Sequence, residues 1–260
     1  MKQKILCITD LDGTFIKDSV QVSRADLSAY QKLIRFCDFS IATGRSAKEI
    51  RYITESNNLD CQYFVAFNGA LIIDSNQNII FSKTIPKVQV IKLLDFLKKE
   101  KLIFDALDGV QRIGNFSHEH LERLWNMEII CPDNLYATVI EKNIYKINIR
   151  PPKNKMMYYL DYLHELFPQL EIYQSGTTRI EVTAKDVSKG AALQKISKSY
   201  HLTVAFGDSG NDISLFDNAD ISYCMSKAPV EVKKHATFEV NDFSDAIGHL
   251  SQHIGNYLNN

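Results

Sequence analysis

The stretch Ile5-Leu6-Cys7-Ile8-Thr9-Asp10-Leu11-Asp12-Gly13-Thr14 sets the fold of this chain. Residues 5–9 form a strand-length run with no polar alternation, the pattern of a parallel strand buried on both faces. The run stops at an acid, and Gly13 permits a sharp turn directly after it. Residues i and i+2 of an extended segment point the same way, so Asp10 and Asp12 are expected to present two carboxylates to one spot. Ser23, with Asp26 three residues on, opens a helix along which Leu27, Tyr30, Leu33, Ile34 and Cys37 recur at helical spacing. Residues 39–42 read as the next strand, Ser46-x-x-Glu49 as the capping box of the next helix, and residues 63–67 as a third strand ending at Asn68-Gly69. Strands alternating with helices in this way predict a parallel sheet.

From about Pro86 the texture changes. A helix over 88–99 precedes short strand candidates, including Tyr145-Lys146-Ile147-Asn148-Ile149, whose strict alternation predicts a sheet wet on one face. Pro151-Pro152 breaks the chain before a second amphipathic helix carrying Met156, Leu160, Leu163 and Phe167 on one stripe, and strands over 170–173 and 179–183 complete an α+β module. From Ser188 the βα texture returns, with a helix through Tyr200 and a buried strand over 203–206. The simplest account is an α/β core, residues 1–83 and 187–260, interrupted by an inserted α+β module, residues 84–186.

With 260 residues, 45% of them hydrophobic, and only 11 Gly and 6 Pro, the chain is neither disordered nor a low-complexity array. Thirty basic against 31 acidic residues supply no global field toward nucleic acid or an anionic bilayer, so a small partner is expected. No apolar run approaches the roughly 20 residues that span a bilayer, and the N-terminus lacks the apolar stretch of a signal peptide. A cytoplasmic protein without membrane insertion is expected, a monomer or weak homo-oligomer. The five cysteines are scattered without a C-x-x-C pair and read as reduced, mostly buried small hydrophobes.

Three further stretches carry chemistry. In Thr43-Gly44-Arg45 a hydroxyl and free backbone N–H groups at a helix N-terminus make an anion site. Lys189, beside the expected N-cap Ser188, is a cation that gains nothing from the helix dipole there, which points to an anion nearby. Gly207-Asp208-Ser209-Gly210-Asn211-Asp212 brings two more carboxylates and an amide to the edge where Asp10 lies, since ligands of open α/β sheets bind beyond the carboxyl ends of the strands. Four acids in one crevice repel one another, and Mg²⁺ resolves that repulsion with carboxylate, water and phosphate oxygens. His118 and His120, two apart on an expected helix, lie about 200° apart around its axis and cannot share an ion. Tyr158, Tyr159 and Tyr162 read as core and surface of the inserted module.

Taken together, the chain resembles the haloacid dehalogenase superfamily of phosphohydrolases, specifically its Cof-type subgroup with a large α/β (C2-type) cap. Asp10 to Thr14 resembles the family's first motif, Ala42-Thr43-Gly44-Arg45 the second, Lys189-Gly190 the third and Gly207 to Asp212 the fourth. Asn68-Gly69-Ala70 and Met225 to Ala228 lie at further subgroup signatures, although Ser226-Lys227 stands where the family usually carries Gly-Asn. The resemblance implies a Rossmann-like doubly wound parallel sheet core with an inserted α+β cap domain. It further implies a Mg²⁺-dependent phosphatase of small phosphorylated metabolites, sugar phosphates foremost and with broad specificity. Asp10 would be the nucleophile, forming an aspartyl-phosphate, and Asp12 the general acid and base. The Asp10 side chain, the Asp12 backbone carbonyl and Asp208 would bind Mg²⁺ with support from Asp212, while the backbone of Leu11, Thr43, Gly44, Lys189 and Asn211 would hold phosphoryl oxygens. Arg45, Asn68, Arg179 and Glu181 are the candidates for substrate choice, with a structural Arg179–Glu181 salt bridge an equal alternative. A phosphomutase using the same nucleophile, or a regulatory protein that binds phosphometabolites without turnover, are the competing readings.

Overall fold

A computed structural model describes residues 4–17, 21–118, 120, 124–125 and 127–258. The first part of the chain forms β1 (Ile5–Thr9), α1 (Arg24–Leu33), β2 (Asp38–Ala42), α2 (Ala47–Ser56), β3 (Tyr63–Ala66), β4 (Leu71–Asp74) and β5 (Ile79–Ser82). Next come α3 (Lys87–Lys99), β6 (Ile103–Leu107), β7 (Gln111–Gly114), β8 (Glu128–Ile130), α4 (Leu135–Glu141), β9 (Lys146–Arg150), α5 (Met156–Leu166), β10 (Leu170–Ser175) and β11 (Arg179–Ala184). The last part holds α6 (Lys189–Ile196), β12 (Leu202–Gly207), α7 (Ile213–Phe216), β13 (Ile221–Met225), α8 (Val230–Lys233), β14 (Phe238–Val240) and α9 (Phe243–Leu258).

These strands make two sheets. One has the order β14-β13-β12-β1-β2-β3-β4-β5, parallel from β14 through β3 and antiparallel at β4 and β5. The other has the order β10-β11-β9-β6-β7-β8 and is antiparallel except where β7 pairs with β8. The apolar run of β1 is explained by its position: Ile5 and Cys7 face one core cluster, Leu6 and Ile8 the cluster on the opposite face of the sheet. Leu6 and Ile8 are fully buried, each contributing about 1.5–3 kcal/mol of transfer free energy. A third cluster, built from α3, α5 and the second sheet, packs one face of that sheet.

The capping signals act as read. Ser23 accepts from the Asp26 N–H, and Ser46 and Glu49 form the reciprocal capping box of α2. The helix expected to run through Tyr200 ends at Ile196 instead and tightens into a 3₁₀ turn, with the Tyr200 hydroxyl tied to Asp38 at 2.8 Å. Cys7, Cys37, Cys61 and Cys224 are buried and Cys131 is exposed, all as free thiols. Tyr159 packs in the core of the inserted module, while Tyr158 and Tyr162 are exposed. Among the described residues, no helix is long and apolar enough to cross a membrane.

One expectation fails in an informative way. The alternating strand β9 is not wet on its polar face: Lys146 and Asn148 are 3% and 0% exposed. That face lies against the carboxyl edge of the first sheet, where Lys146 donates to the Gly44 carbonyl oxygen. The alternation was genuine, but a second layer of protein occupies the place of solvent. His118 and His120, expected on a helix, lie in neither helix nor strand; the His120 N–H donates to His118 Nδ1 at 3.0 Å. The intervening residue and residues 121–123 lie outside the described set.

Candidate functional site

In the first sheet, β1 lies between β2, which follows it through α1, and β12, which arrives from the far end of the chain. Strand order reverses there, and the crevice beyond the carboxyl ends of β1 and β12 is the place such sheets bind ligands. The segments after β1, β2, β3 and β12 bring Asp10, Thr43-Gly44-Arg45, Asn68 and Gly207 to Asp212 to that edge.

Lys189 is the centre of the arrangement. It is 0% exposed, and its Nζ lies 2.6 Å from both Asp10 Oδ1 and Asp212 Oδ1. The helix position that gave this lysine no electrostatic benefit is therefore compensated by two carboxylates from other segments. The second oxygen of Asp212 accepts from the Asp208 and Ser209 N–H groups at 3.0 and 2.9 Å, and Asp208 accepts from the Thr14 hydroxyl at 3.2 Å. Burial pushes the Asp10 carboxyl well above the usual carboxylate range; Lys189 pulls it down, and the charges of Asp212, Asp208 and Asp12 push it up again. Asp208 is pushed up to about 6 by burial and by Asp212.

One oxygen from each of Asp10, Asp208 and Asp212 lies within 4.8 Å of the others. This all-oxygen set with excess negative charge fits a hard divalent cation such as Mg²⁺. Asp12 is not in that group. The chain after Thr9 is a tight turn rather than an extended segment, with the Leu11 carbonyl accepting from the Thr14, Phe15 and Ile16 N–H groups. The backbone here is not the extended segment that was expected, yet both acids border one cavity and the Asp12 charge acts on Asp10. The Asp12 carboxylate meets Arg45 in a bidentate pair, Nε to Oδ2 and Nη2 to Oδ1 both at 2.7 Å.

The anion-binding donors divide in two. The Leu11 and Gly44 N–H groups enter no hydrogen bond among the described residues, whereas the Thr43 N–H donates to the Val65 carbonyl at 2.9 Å. The expectation of a free Thr43 backbone N–H is corrected on this point: the β2–β3 ladder extends to Thr43 and consumes it. Its hydroxyl remains. Asn211 lines the cavity and donates Nδ2 to Asn68 Oδ1 at 3.0 Å, while its own Oδ1 is buried without a partner among the described residues.

The second sheet roofs this edge and encloses a cavity of about 660 Å³. Asn68 is 1% exposed and held at the seam, its Nδ2 donating to Glu181 Oε2 at 2.7 Å. Phe67 and Asn68 both take positive φ, 51° and 58°, a costly backbone for two successive non-glycine residues that marks functional segments. Glu181 also pairs with Lys146 and with Arg179, each at 3.1 Å. Burial pushes Glu181 up, but Lys146 and Arg179 outweigh it and hold the carboxyl at about 2, while burial above all lowers Lys146 to about 8.

Two predictions arise here. The unfolded chain's carboxyl titrates near 4.5, so on acidification it takes up the proton before folded Glu181 does. The stability owed to Glu181 is complete above about pH 4.5 and is lost as pH falls toward 2. Wild-type protein should lose on the order of 3 kcal/mol more across that window than Glu181→Gln, read from urea midpoints at each pH; parallel curves would refute the pairing. At Gly44, a Cβ would lie 2.9 Å from Glu181 Oε2 and 3.2 Å from Lys146 Nζ. Gly44→Ala should cost about 1–3 kcal/mol by overpacking the seam, visible as a Tm lower by several degrees, and an unchanged Tm would show that the seam yields freely.

Sequence reasoning missed Arg112, Lys146, Arg150 and Trp125. Arg112 joins Glu49 and Asp105 at 2.9 and 3.2 Å, and Arg45 stacks 3.6 Å from the ring centroid of buried Trp125. The signal for Lys146 and Arg150 was the polar register of β9, which read as a solvent face. Trp125 had no local signal at all.

A family model of haloacid dehalogenase-like hydrolases matches residues 7–249. The chain belongs to that family. Among curated members, 5-amino-6-(5-phospho-D-ribitylamino)uracil phosphatase YcsE of Bacillus subtilis is 28% identical over 244 residues, covering 90% of this chain and 88% of the relative. A haloacid dehalogenase-like hydrolase from B. subtilis superposes with a TM-score of 0.83 at 22% identity, covering 98% of this chain and 100% of that one. Another from Bacteroides thetaiotaomicron gives 0.80 at 20%, covering 94% and 98%. The two sheets are thus the core and cap of a haloacid dehalogenase-like hydrolase, and the cavity lies between them.

Proposed function

We propose that this haloacid dehalogenase-like phosphatase hydrolyses small phosphorylated metabolites through an aspartyl-phosphate formed on Asp10. The observation that carries the reading is the buried Asp10–Lys189–Asp212 arrangement at the switch point, opening onto a polar cavity beneath the cap. Lys189 fixes one oxygen of Asp10, so the other is presented for in-line attack on phosphorus. The Leu11 and Gly44 N–H groups, the Thr43 hydroxyl and Asn211 then serve the phosphoryl oxygens, donors aimed where charge develops. Asp12 enters the first step protonated, held by Arg45 through one oxygen where the resting pair uses two; it gives that proton to the departing alkoxide and later takes one from water, with Arg45 as the residue that positions it. Asp10, Asp208 and Asp212, with the Asp12 carbonyl, would hold Mg²⁺, which when bound supplies the positive charge that ionises these acids and neutralises phosphate. The cap excludes water from the reacting centre and contributes Arg179 and Glu181 to substrate choice.

A phosphorylated sugar or polyol suits the cavity, whose lining includes the hydroxyls of Ser175, Thr177, Thr178 and Ser209. The B. subtilis relative is named for a substrate bearing a phosphorylated ribityl chain. The test is phosphate release from sugar phosphates, nucleotides, pyridoxal phosphate and p-nitrophenyl phosphate, with Mg²⁺ and with chelator. Metal-dependent release is expected; silence across the panel in protein that binds Mg²⁺ would favour a mutase or a non-hydrolytic sensor. Binding to the folded state alone also predicts that Mg²⁺ at 100 times its Kd raises stability by about 2.7 kcal/mol. That rise in Tm should collapse in Asp208→Ala, and an undiminished rise would overturn the assignment of Asp208.

A further inference from the structure

The cap side of the cavity is a concentration of positive charge. Arg112, Lys146, Arg150 and Arg179 all line it, and the only cap carboxylates paired with them among the described residues are Asp105 and Glu181. Each of these acids is already shared: Asp105 accepts from Arg112, Arg150 and Asn148, and Glu181 from Lys146 and Asn68, with Arg179 Nε beside it. The core lends Glu49 to Arg112, but Arg45 claims the same oxygen at 3.4 Å. On the cap side, four cations therefore meet two cap acids and a shared Glu49, while Asp10 and Asp12 lie on the core side of the same cavity.

Their hydrogen-bonding capacity is likewise unspent. Among the described residues, no group accepts from Arg150 Nε or Nη2 or from Arg179 Nη1, and Arg112 Nε is buried without a hydrogen-bond partner. The open donors are held in place: the Arg150 guanidinium carbon sits over Phe116, 3.3 Å from the ring centroid, and Ser175 accepts from Arg179 Nη2 at 2.7 Å. Burial lowers Arg150 from its ordinary value despite Asp105, and the charges of Arg179 and Arg112 lower it further. Like charges assembled in a partly dry cavity are costly unless an anion joins them. A neutral polyol would satisfy donors and leave that cost standing. A phosphate or carboxylate would satisfy both, because the planar guanidinium fork matches two anionic oxygens at once.

We infer that the cap binds a second anionic group, so that the preferred substrate is a phosphate monoester bearing a further phosphate or carboxylate away from the scissile bond. This rests on the phosphatase reading and narrows it. Such a substrate is released by one face of the site and recognised by the other, the reacting phosphate at Asp10 and the distal anion at Arg150 and Arg179.

The experiment compares kcat/KM for three ligands of one chain length: a hexose 6-phosphate, the corresponding 1,6-bisphosphate and the corresponding 6-phospho-aldonate. The two-anion substrates should exceed the monophosphate by about tenfold or more, and their order tells a phosphate subsite from a carboxylate subsite. In Arg150→Gln and in Arg179→Gln that ratio should fall toward one. Arg179 has a side chain 39% exposed, so Arg179→Gln is the variant that decides the matter if Arg150→Gln fails to fold. Equal kcat/KM for all three ligands, or a ratio untouched by Arg179→Gln, overturns the inference and leaves the phosphatase intact. If none releases phosphate, the phosphatase reading fails, and calorimetric titration of the same ligands into wild-type protein decides the subsite: tighter two-anion binding upholds it, equal affinities overturn it.

Discussion

Asp10→Asn should lower phosphate release by about 10⁴-fold or more while leaving the fold intact. The proposed reaction passes through a bond between an Asp10 oxygen and phosphorus, and an amide supplies no comparable nucleophile. Losses of this size are typical when the attacking group itself is removed. The substitution is also gentle on structure. Asn retains an oxygen to accept from Lys189 Nζ, which stays paired with Asp212, and it removes one charge from a site where four acids repel. Phosphate release by a sensitive assay, with thermal melting as the control for folding, checks the prediction. Residual activity within tenfold of wild type would remove Asp10 from the role of nucleophile, and with it the aspartyl-phosphate.

Lys189→Met should be the most destabilising single change in the site. It strips the shared cation from two buried carboxylates, Asp10 at 5% and Asp212 at 0% exposure. Removing one member of a buried ion pair costs about 3–5 kcal/mol, because the charges left behind lack compensation. For a chain of this size the Tm should fall by on the order of 10 °C. The mechanism makes a second demand: adding Asp212→Asn, which removes one of the orphaned charges, should restore part of the loss. A Lys189→Met protein as stable as wild type, or a double variant less stable than the sum of its parts, would show that the lysine is not the electrostatic centre of the site.

The two halves of the site differ in how legible they were. The core half is written in short, contiguous stretches, because each follows a strand directly and the parallel sheet carries every such strand end to one edge. Asp10, Thr43, Gly44, Lys189, Asp208 and Asp212 could be found from local rules: an apolar run that stops at an acid, a capping box, a lysine at the wrong end of a helix. Local rules stop at contacts. They put Asp12 at the same cavity as Asp10 but gave no sign of its pair with Arg45, and they counted the Thr43 N–H as free, where the β2–β3 ladder has taken it.

The cap half was written in the same alphabet but could not be read. Lys146, Asn148 and Arg150 alternate with Ile147 and Ile149, and a period of two says only that the faces differ. Water and a charged cavity wall both call for polar side chains. The sequence by itself determined the strands and helices that carry the core site, the parallel core and the acids at the strand ends, since each depends on residues close together in the chain. Only the tertiary structure decided that the polar face of β9 and β11 closes over those acids, that one lysine bridges two of them, and that four cap cations are left short of cap anions. Charge balance is a sum over segments distant in sequence, and it takes its value only when the two sheets are brought face to face.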